Sequence, residues 1–211
     1  MTANPGFQIS LDVNGRSCLV LGGDDEAAEK AQRLLDAGAK VTVISPTLND
    51  ALRKLTAAAK VLHRGRLFRT TDAEGVVLVI NTLRGNPDFS KSLYELAGQE
   101  RFLLCSTDQH EASTVVMPAV VSRGHLRLAI STSGVAPALA SRLRQDFEQL
   151  FDEEFQAFVA WLATIRDETR EAEPDAERRR AQLQEAVNGF RLTARIEYPK
   201  AWQEERAKQQ R

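Results

Sequence analysis

The sequence has few of the residues that build disulfide frameworks or metal sites. It contains 2 Cys and 3 His in 211 residues. Two cysteines cannot form a disulfide framework, and no C-x-x-C pair suggests zinc, so we expect no structural metal. Cys18 and Cys105 lie in apolar runs that predict strands, where cysteine usually serves as a small core residue.

An excess of basic residues is also missing. The chain has 28 Lys and Arg against 29 Asp and Glu, a net charge of −1. Nucleic-acid binders usually carry a basic excess, so we expect no nucleic-acid partner. No apolar run approaches the roughly 18–20 residues that span a bilayer, and residues 1–12 lack the basic and apolar regions of a signal peptide. We therefore expect a cytoplasmic protein with no membrane partner.

Between Phe7 and Cys105 the sequence alternates short apolar runs with helical runs. This alternation is typical of a parallel sheet covered on both faces. Strands are predicted over 7–11, 17–21, 40–44, 60–63, 76–80 and 102–105, and helices over 26–37, 48–59 and 87–100. The first run alternates apolar and polar residues, which is typical of an edge strand, and an Asn14-Gly15 turn follows it.

After Asp108 the pattern changes. Residues 114–121 and 125–131 predict a β-hairpin, and one helical stretch runs from Pro137 to about Thr169, with a break predicted near Pro174. The sequence thus predicts an α/β fold: a Rossmann-like parallel sheet, a β-hairpin dimerisation region and an α-helical C-terminal domain. The expected boundaries are 1–112, 113–145 and 146–211.

Gly22 and Gly23 lie between a predicted strand and a predicted helix, as the glycines of a dinucleotide-binding turn do. Glycine lets the backbone turn sharply and approach a diphosphate at the helix N-terminus. Asp24 occupies the second fingerprint position, where a carboxylate would repel that diphosphate. A tight strand–helix turn without a ligand is the alternative. The second strand ends at Ser45 rather than at an acidic residue, which leaves NAD and NADP both open.

Several segments together resemble one family. They are Val20-Leu21-Gly22-Gly23, the helix from Glu29 to Ala39, Met117-Pro118-Ala119, and Ala129 to Ala140 with its Ser-Thr-Ser-Gly and Pro-Ala-Leu groups. Over most of residues 5–165 the chain resembles the precorrin-2 dehydrogenase/sirohydrochlorin ferrochelatase family, the N-terminal part of siroheme synthase, in its stand-alone form. The resemblance implies a homodimer that oxidises precorrin-2 to sirohydrochlorin with NAD, and ferrous iron as a second substrate where a member also makes siroheme.

The resemblance also implies roles for individual residues. Asp108 matches the catalytic aspartate. The cofactor site is expected to include Gly22, Gly23, Asp24, Asp25, Glu26, Pro46, Thr47, Asn81 and Thr82. The tetrapyrrole is expected to contact His110, Ser131, Thr132, Ser133 and Gly134.

The side-chain chemistry of these residues suits the roles that the resemblance implies. A carboxylate at Asp108 can accept a proton, although an aspartate after a strand also forms turns. The hydroxyls and amides of 131–134 precede a predicted helix and would suit a substrate carboxylate, unless Ser133 simply caps that helix. Arg123, Arg127, Arg142 and Arg144 are further candidates for pairing with carboxylates. We expect the Asp108 loop and residues 131–134 to face one cleft.

Three departures from the family pattern favour a second hypothesis. Asp24 replaces a glycine, Asn81-Thr82-Leu83-Arg84 replaces Ala-Thr-x-Asp, and Cys105 replaces an asparagine. The alternative is a tetrapyrrole chelatase or carrier that has lost NAD-dependent oxidation. A nucleotide-sensing regulatory module on a Rossmann fold is a third hypothesis, which the 131–139 segment disfavours.

Overall fold

The computed structural model describes residues 6–209. The chain divides into two units. The first runs through Ala119 and also includes Ile130–Ala140, and the second consists of Val120–Ala129 and the chain from Ser141 onward. Within residues 6–209, none of the helices combines the length and the apolar character that crossing a bilayer requires.

The first unit is built on a five-stranded parallel sheet. Its strands are β1 Ser17–Leu21, β2 Lys40–Ile44, β3 Val61–Arg64, β4 Leu78–Asn81 and β5 Leu103–Ser106. They lie in the spatial order β3-β2-β1-β4-β5, so the order reverses between β1 and β4. At such a switch point the connecting loops diverge, and a crevice opens outside the carboxyl ends of the strands.

The helices of this sheet are α1 Asp25–Asp36, α2 Asp50–Ala57 and α3 Pro87–Glu100. Each follows a residue whose side chain accepts a hydrogen bond from an amide of the first turn, namely Asp24, Asn49 and Asn86. Such caps satisfy amides that have no partner inside the helix and fix where the helix begins. Short 3-10 turns occupy Thr70–Ala73 and His110–Ala112.

Both faces of the sheet are buried. Along β1, Cys18 and Val20 pack with α1 and α2, while Leu19 and Leu21 pack with α3 on the other face. Burial raises the pKa of the Cys18 thiol and of the Cys105 thiol. Both cysteines are core residues, as the sequence predicts.

The strands and helices predicted between residues 17 and 105 are confirmed, with ends that differ by at most two residues. The edge strand predicted at Phe7–Leu11 is wrong. Within the described residues no strand pairs with this segment, and Phe7 and Ile9 are 90% and 64% exposed. Alternating residues favour a strand only where a neighbour covers the apolar side. The Asn14-Gly15 turn is present, and Gly15 N–H donates to the Gly38 carbonyl.

Beyond β5, strands β6 Ala119–Arg123 and β7 Leu126–Ile130 form a small antiparallel hairpin. The first strand is shorter than predicted, because Thr114 and Val115 donate their amides to the Leu104 carbonyl instead. The helices that follow are α4 Pro137–Leu150, α5 Glu153–Ala172, α6 Ala176–Ala186 and α7 Lys200–Gln209. The break predicted near Pro174 is confirmed.

The helical stretch predicted from Pro137 to about Thr169 is confirmed, but it divides after Leu150. Arg123 donates from its guanidinium to the Glu148 and Phe151 carbonyls, at 2.9 and 3.0 Å. Asp152 accepts from the Phe155 amide at 2.9 Å and caps α5. These contacts satisfy the ends of both helices, so the break leaves few polar groups without a partner. The phenylalanine stripe stays packed across it, with Phe151 and Phe155 rings 4.5 Å apart.

A buried aspartate fixes the segment that follows β3. The Asp72 carboxylate is 1% exposed and accepts from the guanidinium groups of Arg64 and Arg66 and from the Arg69 amide. The Arg66 hydrogen bonds, at 2.7 Å to each carboxylate oxygen, contribute most to holding the pKa of Asp72 well below its usual range.

We expect Asp72→Asn to lower the free energy of unfolding at pH 7 by about 2–3 kcal/mol, because two arginines lose a charged partner. The folded-state pKa lies below the unfolded value. The stabilisation is therefore complete above about pH 4 and is lost as the pH falls further. Urea unfolding at pH 7 and pH 3 should show a smaller pH dependence for the variant than for the wild type.

The matched control is Asp50→Asn, which breaks an exposed ion pair with Arg53 in the first turn of α2. It should cost less than about 1 kcal/mol. Equal losses for the two variants would contradict the role assigned to Asp72.

Candidate functional site

A crevice of about 440 Å³ opens at the carboxyl ends of β1, β2 and β4. Three loops line it, and each follows its strand directly. The lining residues are Gly22, Gly23 and Asp24, then Ser45, Pro46 and Thr47, then Thr82, Leu83 and Arg84. Open α/β sheets bind their ligands at this position, outside the carboxyl ends at the switch point.

The two glycines let these loops approach each other closely. Gly22 has a φ of 132°, and a Cβ there would lie 2.1 Å from Thr82 Oγ1. A Cβ at Gly23 would lie 1.9 Å from the Thr47 carbonyl oxygen. Both positions therefore require glycine, and the backbone itself forms the floor of the crevice.

Asp24 stands at the N-terminus of α1, where an anion would otherwise bind. Its Oδ1 accepts from the Ala27 amide at 2.9 Å. The Ala28 amide donates to the Asp24 carbonyl at 3.0 Å. In the described part of the chain, the Asp25 and Glu26 amides have no hydrogen-bond acceptor. The helix end therefore retains two free donors beside a fixed negative charge.

Arg84 is the basic residue among those that line the crevice. Its Nη2 donates to Glu26 Oε2 at 2.7 Å, an ion pair that joins the loop after β4 to the first turn of α1. Glu26 contributes most to raising the pKa of Arg84, and the charges of Asp24 and Asp108 add to it.

Of the predicted cofactor residues, Gly22, Gly23, Asp24, Pro46, Thr47 and Thr82 line the crevice. Asp25 instead accepts from Asn49 Nδ2 at 2.7 Å, and Glu26 pairs with Arg84. Asn81 is fully buried and donates to Ser90 Oγ at 3.1 Å. These three residues shape the loops rather than line the cavity.

Three lining residues, Ser45, Leu83 and Arg84, were missing from the predicted cofactor set. Their positions just after predicted strands were the available signal, because the carboxyl ends of parallel strands share one edge. In the sequence, Ser45 and Arg84 stood out only as departures from the dinucleotide-binding and family patterns.

Asp108 follows β5 and lies beside the crevice. Its Oδ2 accepts from the Gly85 amide at 3.2 Å, and Gly85 adjoins Arg84. The side chain is otherwise exposed. Just before it, the buried hydroxyls of Ser106 and Thr107 have no hydrogen-bond partner among the described residues. The carboxylate is thus held at the rim and remains open to a ligand.

The predicted substrate residues form a locally bonded turn. Ser131 Oγ accepts from the Ser133 amide, and Thr132 Oγ1 accepts from the Ala136 amide, each at 3.2 Å. Thr132, not Ser133, therefore supports the start of α4. Ser133 has a φ of 52°, a left-handed conformation that is uncommon for serine. His110 is exposed in its 3-10 turn.

The four arginines proposed for substrate carboxylates already have protein partners. Arg123 contacts carbonyls at the end of α4, and Arg127 donates to the carbonyls of Gly124 and Leu126. Arg142 and Arg144 pair with acids one helical turn away. Residues 108 and 131–134 all belong to the first unit. A single cleft between them remains a prediction.

Across residues 6–209 the structure contains no cluster of three or more His, Cys, Asp or Glu side chains arranged to hold a metal ion.

Two family models match consecutive parts of the chain. Residues 9–119 match the family described as "Putative NAD(P)-binding". Residues 123–150 match the family described as "Sirohaem biosynthesis protein central". The first match covers the whole parallel sheet and its crevice, and it confirms the predicted class of cofactor, a nicotinamide dinucleotide.

Curated relatives that match most of the chain include siroheme synthases. The siroheme synthase of Xylella fastidiosa (strain M12) is 31% identical over 180 residues, which are 85% of this chain and 38% of that protein. The siroheme synthase of Methylobacillus flagellatus is 30% identical over 86% of this chain and 38% of its own length. The chain thus spans less than two fifths of the length of these relatives.

One solved structure matches most of the fold. The structure described as SirC, precorrin-2 dehydrogenase, superposes with a TM-score of 0.73 at 23% sequence identity, over 87% of this chain and 90% of that chain. The likeness confirms the predicted fold: a Rossmann-like sheet, a small hairpin and a helical C-terminal part.

We expect Gly23→Ala to lower the free energy of unfolding by about 1–3 kcal/mol, because the added methyl group meets the Thr47 main chain, which cannot move like a side-chain end. Urea unfolding gives the difference. The control is Gly98→Ala in α3, where an added Cβ meets nothing within 4 Å. It should raise the free energy of unfolding by up to about 1 kcal/mol. A harmless Gly23→Ala would contradict the packing of these loops.

Proposed function

The chain belongs to the precorrin-2 dehydrogenase/sirohydrochlorin ferrochelatase family, the N-terminal part of siroheme synthase, and we propose that it oxidises precorrin-2 to sirohydrochlorin with NAD in siroheme biosynthesis. The observation that carries the proposal is the position of Asp108. This carboxylate accepts a hydrogen bond from the Gly85 amide beside a crevice of the kind that binds dinucleotides, and it is available to a substrate next to the cofactor.

The crevice has features that fit a nicotinamide dinucleotide. It lies at the switch point of the sheet, its floor is glycine backbone, and two amides at the start of α1 point to no acceptor. The carboxylate of Asp24 opposes a diphosphate, and the guanidinium of Arg84, which also lines the crevice, offsets that charge. Gly22, Gly23, Thr47 and Thr82 would hold the dinucleotide, which when bound accepts a hydride from the substrate.

Asp108 is the proposed acceptor of the proton that the substrate loses on oxidation. Oxidation of the reduced macrocycle removes two hydrogens, one as a hydride to the cofactor and one as a proton. Asp108 Oδ1 makes no hydrogen bond within the described residues, whereas Oδ2 is held by Gly85. The free oxygen can accept the proton while the other keeps the carboxylate oriented.

The turn at residues 131–134 is the proposed contact for a substrate carboxylate. Its left-handed residues, Ser133 and Gly134, precede the N-terminus of α4, where the helix dipole favours negative charge. We further propose a cytoplasmic homodimer that pairs through the region 113–145. Iron insertion into sirohydrochlorin, with ferrous iron as the second substrate, is part of the same proposal.

A second function is favoured by one observation, the carboxylate of Asp24 at the start of α1. If it prevents dinucleotide binding, the chain is a chelatase or a carrier for the tetrapyrrole. Metal insertion without NAD affinity would select the chelatase, and tight sirohydrochlorin binding without turnover would select the carrier.

We expect Asp108→Asn to lower kcat for NAD-dependent oxidation of precorrin-2 by at least about 100-fold, because an amide cannot accept the proton. The dissociation constant for NAD should not rise, since the substituted side chain lies outside the residues that line the crevice and the change removes a negative charge near Arg84. Absorbance of NADH gives the rate, and titration calorimetry gives the affinity.

Asp88→Asn is the matched control, because Asp88 is an exposed aspartate in the first turn of α3, three residues after Gly85. It should retain the wild-type rate. Turnover by Asp108→Asn at the wild-type rate would rule out the assigned proton acceptor.

A further inference from the structure

The crevice and its rim hold an uneven set of charges. Three carboxylates lie close to Arg84: Glu26 is bonded to it, and the charges of Asp24 and Asp108 both act on it. Among the described residues that line the cavity, Arg84 is the basic one. A ligand with a doubly charged diphosphate would therefore meet strong repulsion here unless a cation contacted it directly.

The start of α1 provides less attraction than such helix ends usually do. The Asp24 carboxylate already uses the Ala27 amide and places a full negative charge where the positive end of the helix dipole lies. Among the described residues, the Gly23, Asp24, Asp25 and Glu26 amides have no acceptor. These donors are neutral, and a diphosphate that they bound would lie beside the Asp24 carboxylate.

Arg84 is available for this task. Its side chain is 71% exposed, and its hydrogen bond within the described residues comes from Nη2 to Glu26. The other guanidinium donors have no partner among residues 6–209, and a guanidinium binds phosphate oxygens through two parallel hydrogen bonds. An exposed ion pair contributes little to stability, so Arg84 can share or leave Glu26 at little cost.

We propose that Arg84 binds the diphosphate of the dinucleotide and offsets the carboxylate of Asp24, so that the principal phosphate contact in this chain comes from the loop after β4 and not from the N-terminus of α1. Arg84 and Asp24 are then an energetically coupled pair that determines cofactor affinity. The inference rests on the cofactor of the proposed function, but not on its substrate or its reaction.

The test is a titration of the full chain with NADH, followed by fluorescence, and with ADP-ribose, followed by calorimetry. Arg84→Gln should raise both dissociation constants at least tenfold and by similar factors, because the two ligands share the diphosphate. Asp24→Gly should tighten both ligands. In the Asp24→Gly background, Arg84→Gln should weaken binding by a clearly smaller factor than in the wild type.

The matched control is Arg33→Gln. Arg33 pairs with Glu29 in the last turn of α1, so this change removes an arginine–glutamate contact and one positive charge at the opposite end of the same helix. Its dissociation constants should stay within twofold of the wild type. Circular dichroism of each variant checks that the fold is intact.

Three results would overturn the inference: unchanged binding by Arg84→Gln, equal weakening by Arg33→Gln, or a loss confined to NADH. Wild-type chain that binds neither ligand would overturn both the inference and the proposed cofactor. Wild-type chain that shows the arginine effect but does not oxidise precorrin-2 would leave the inference standing and refute only the proposed reaction.

Discussion

The close approach of three loop backbones at the switch point of the sheet is the constraint on which the site depends. No side chain separates the turn after β1 from Thr47 and Thr82, because positions 22 and 23 leave no room for a Cβ. This contact sets the depth of the crevice and brings main-chain donors to its floor. The lining segments follow directly from strands that are buried on both faces.

The charged side chains at the carboxyl edge of the sheet are the second feature that determines what the crevice can bind. The Asp24 carboxylate stabilises the start of α1 as its cap, but it repels a diphosphate. Both effects have one origin, because a capping carboxylate and a bound anion use the same first-turn amides of the helix. Arg84 donates a hydrogen bond to Glu26 and brings a guanidinium to the crevice that Asp24 also lines. The loop that carries Arg84 also holds Asp108 through the Gly85 amide, so cofactor binding and the proposed proton acceptor share one structural support.

Much of the fold could be predicted from the sequence, because local patterns and tertiary packing agree there. The central strands are largely apolar since both of their faces are covered, and the helix caps at Asp24, Asn49 and Asn86 are local features. The errors lie where distant partners decide. Phe7–Leu11 alternates like a strand but has no neighbour, and the break between α4 and α5 depends on Arg123, some 25 residues upstream in the hairpin. The same distinction applies to the site. Its lining residues directly follow predicted strands and could be located from the sequence, but the ion pair between Arg84 and Glu26 joins residues 58 apart and has no local sequence signal.

The central claim is that a nicotinamide dinucleotide binds at this crevice. Hydrogen–deuterium exchange of the chain with and without saturating NADH tests it most directly, because exchange reports on every backbone amide separately from catalysis. The account predicts that NADH slows exchange in peptides covering residues 22–28, 45–49 and 82–86, with little change in α5, α6 and α7. Slowing confined to the helical part, or no slowing at saturation, would contradict it.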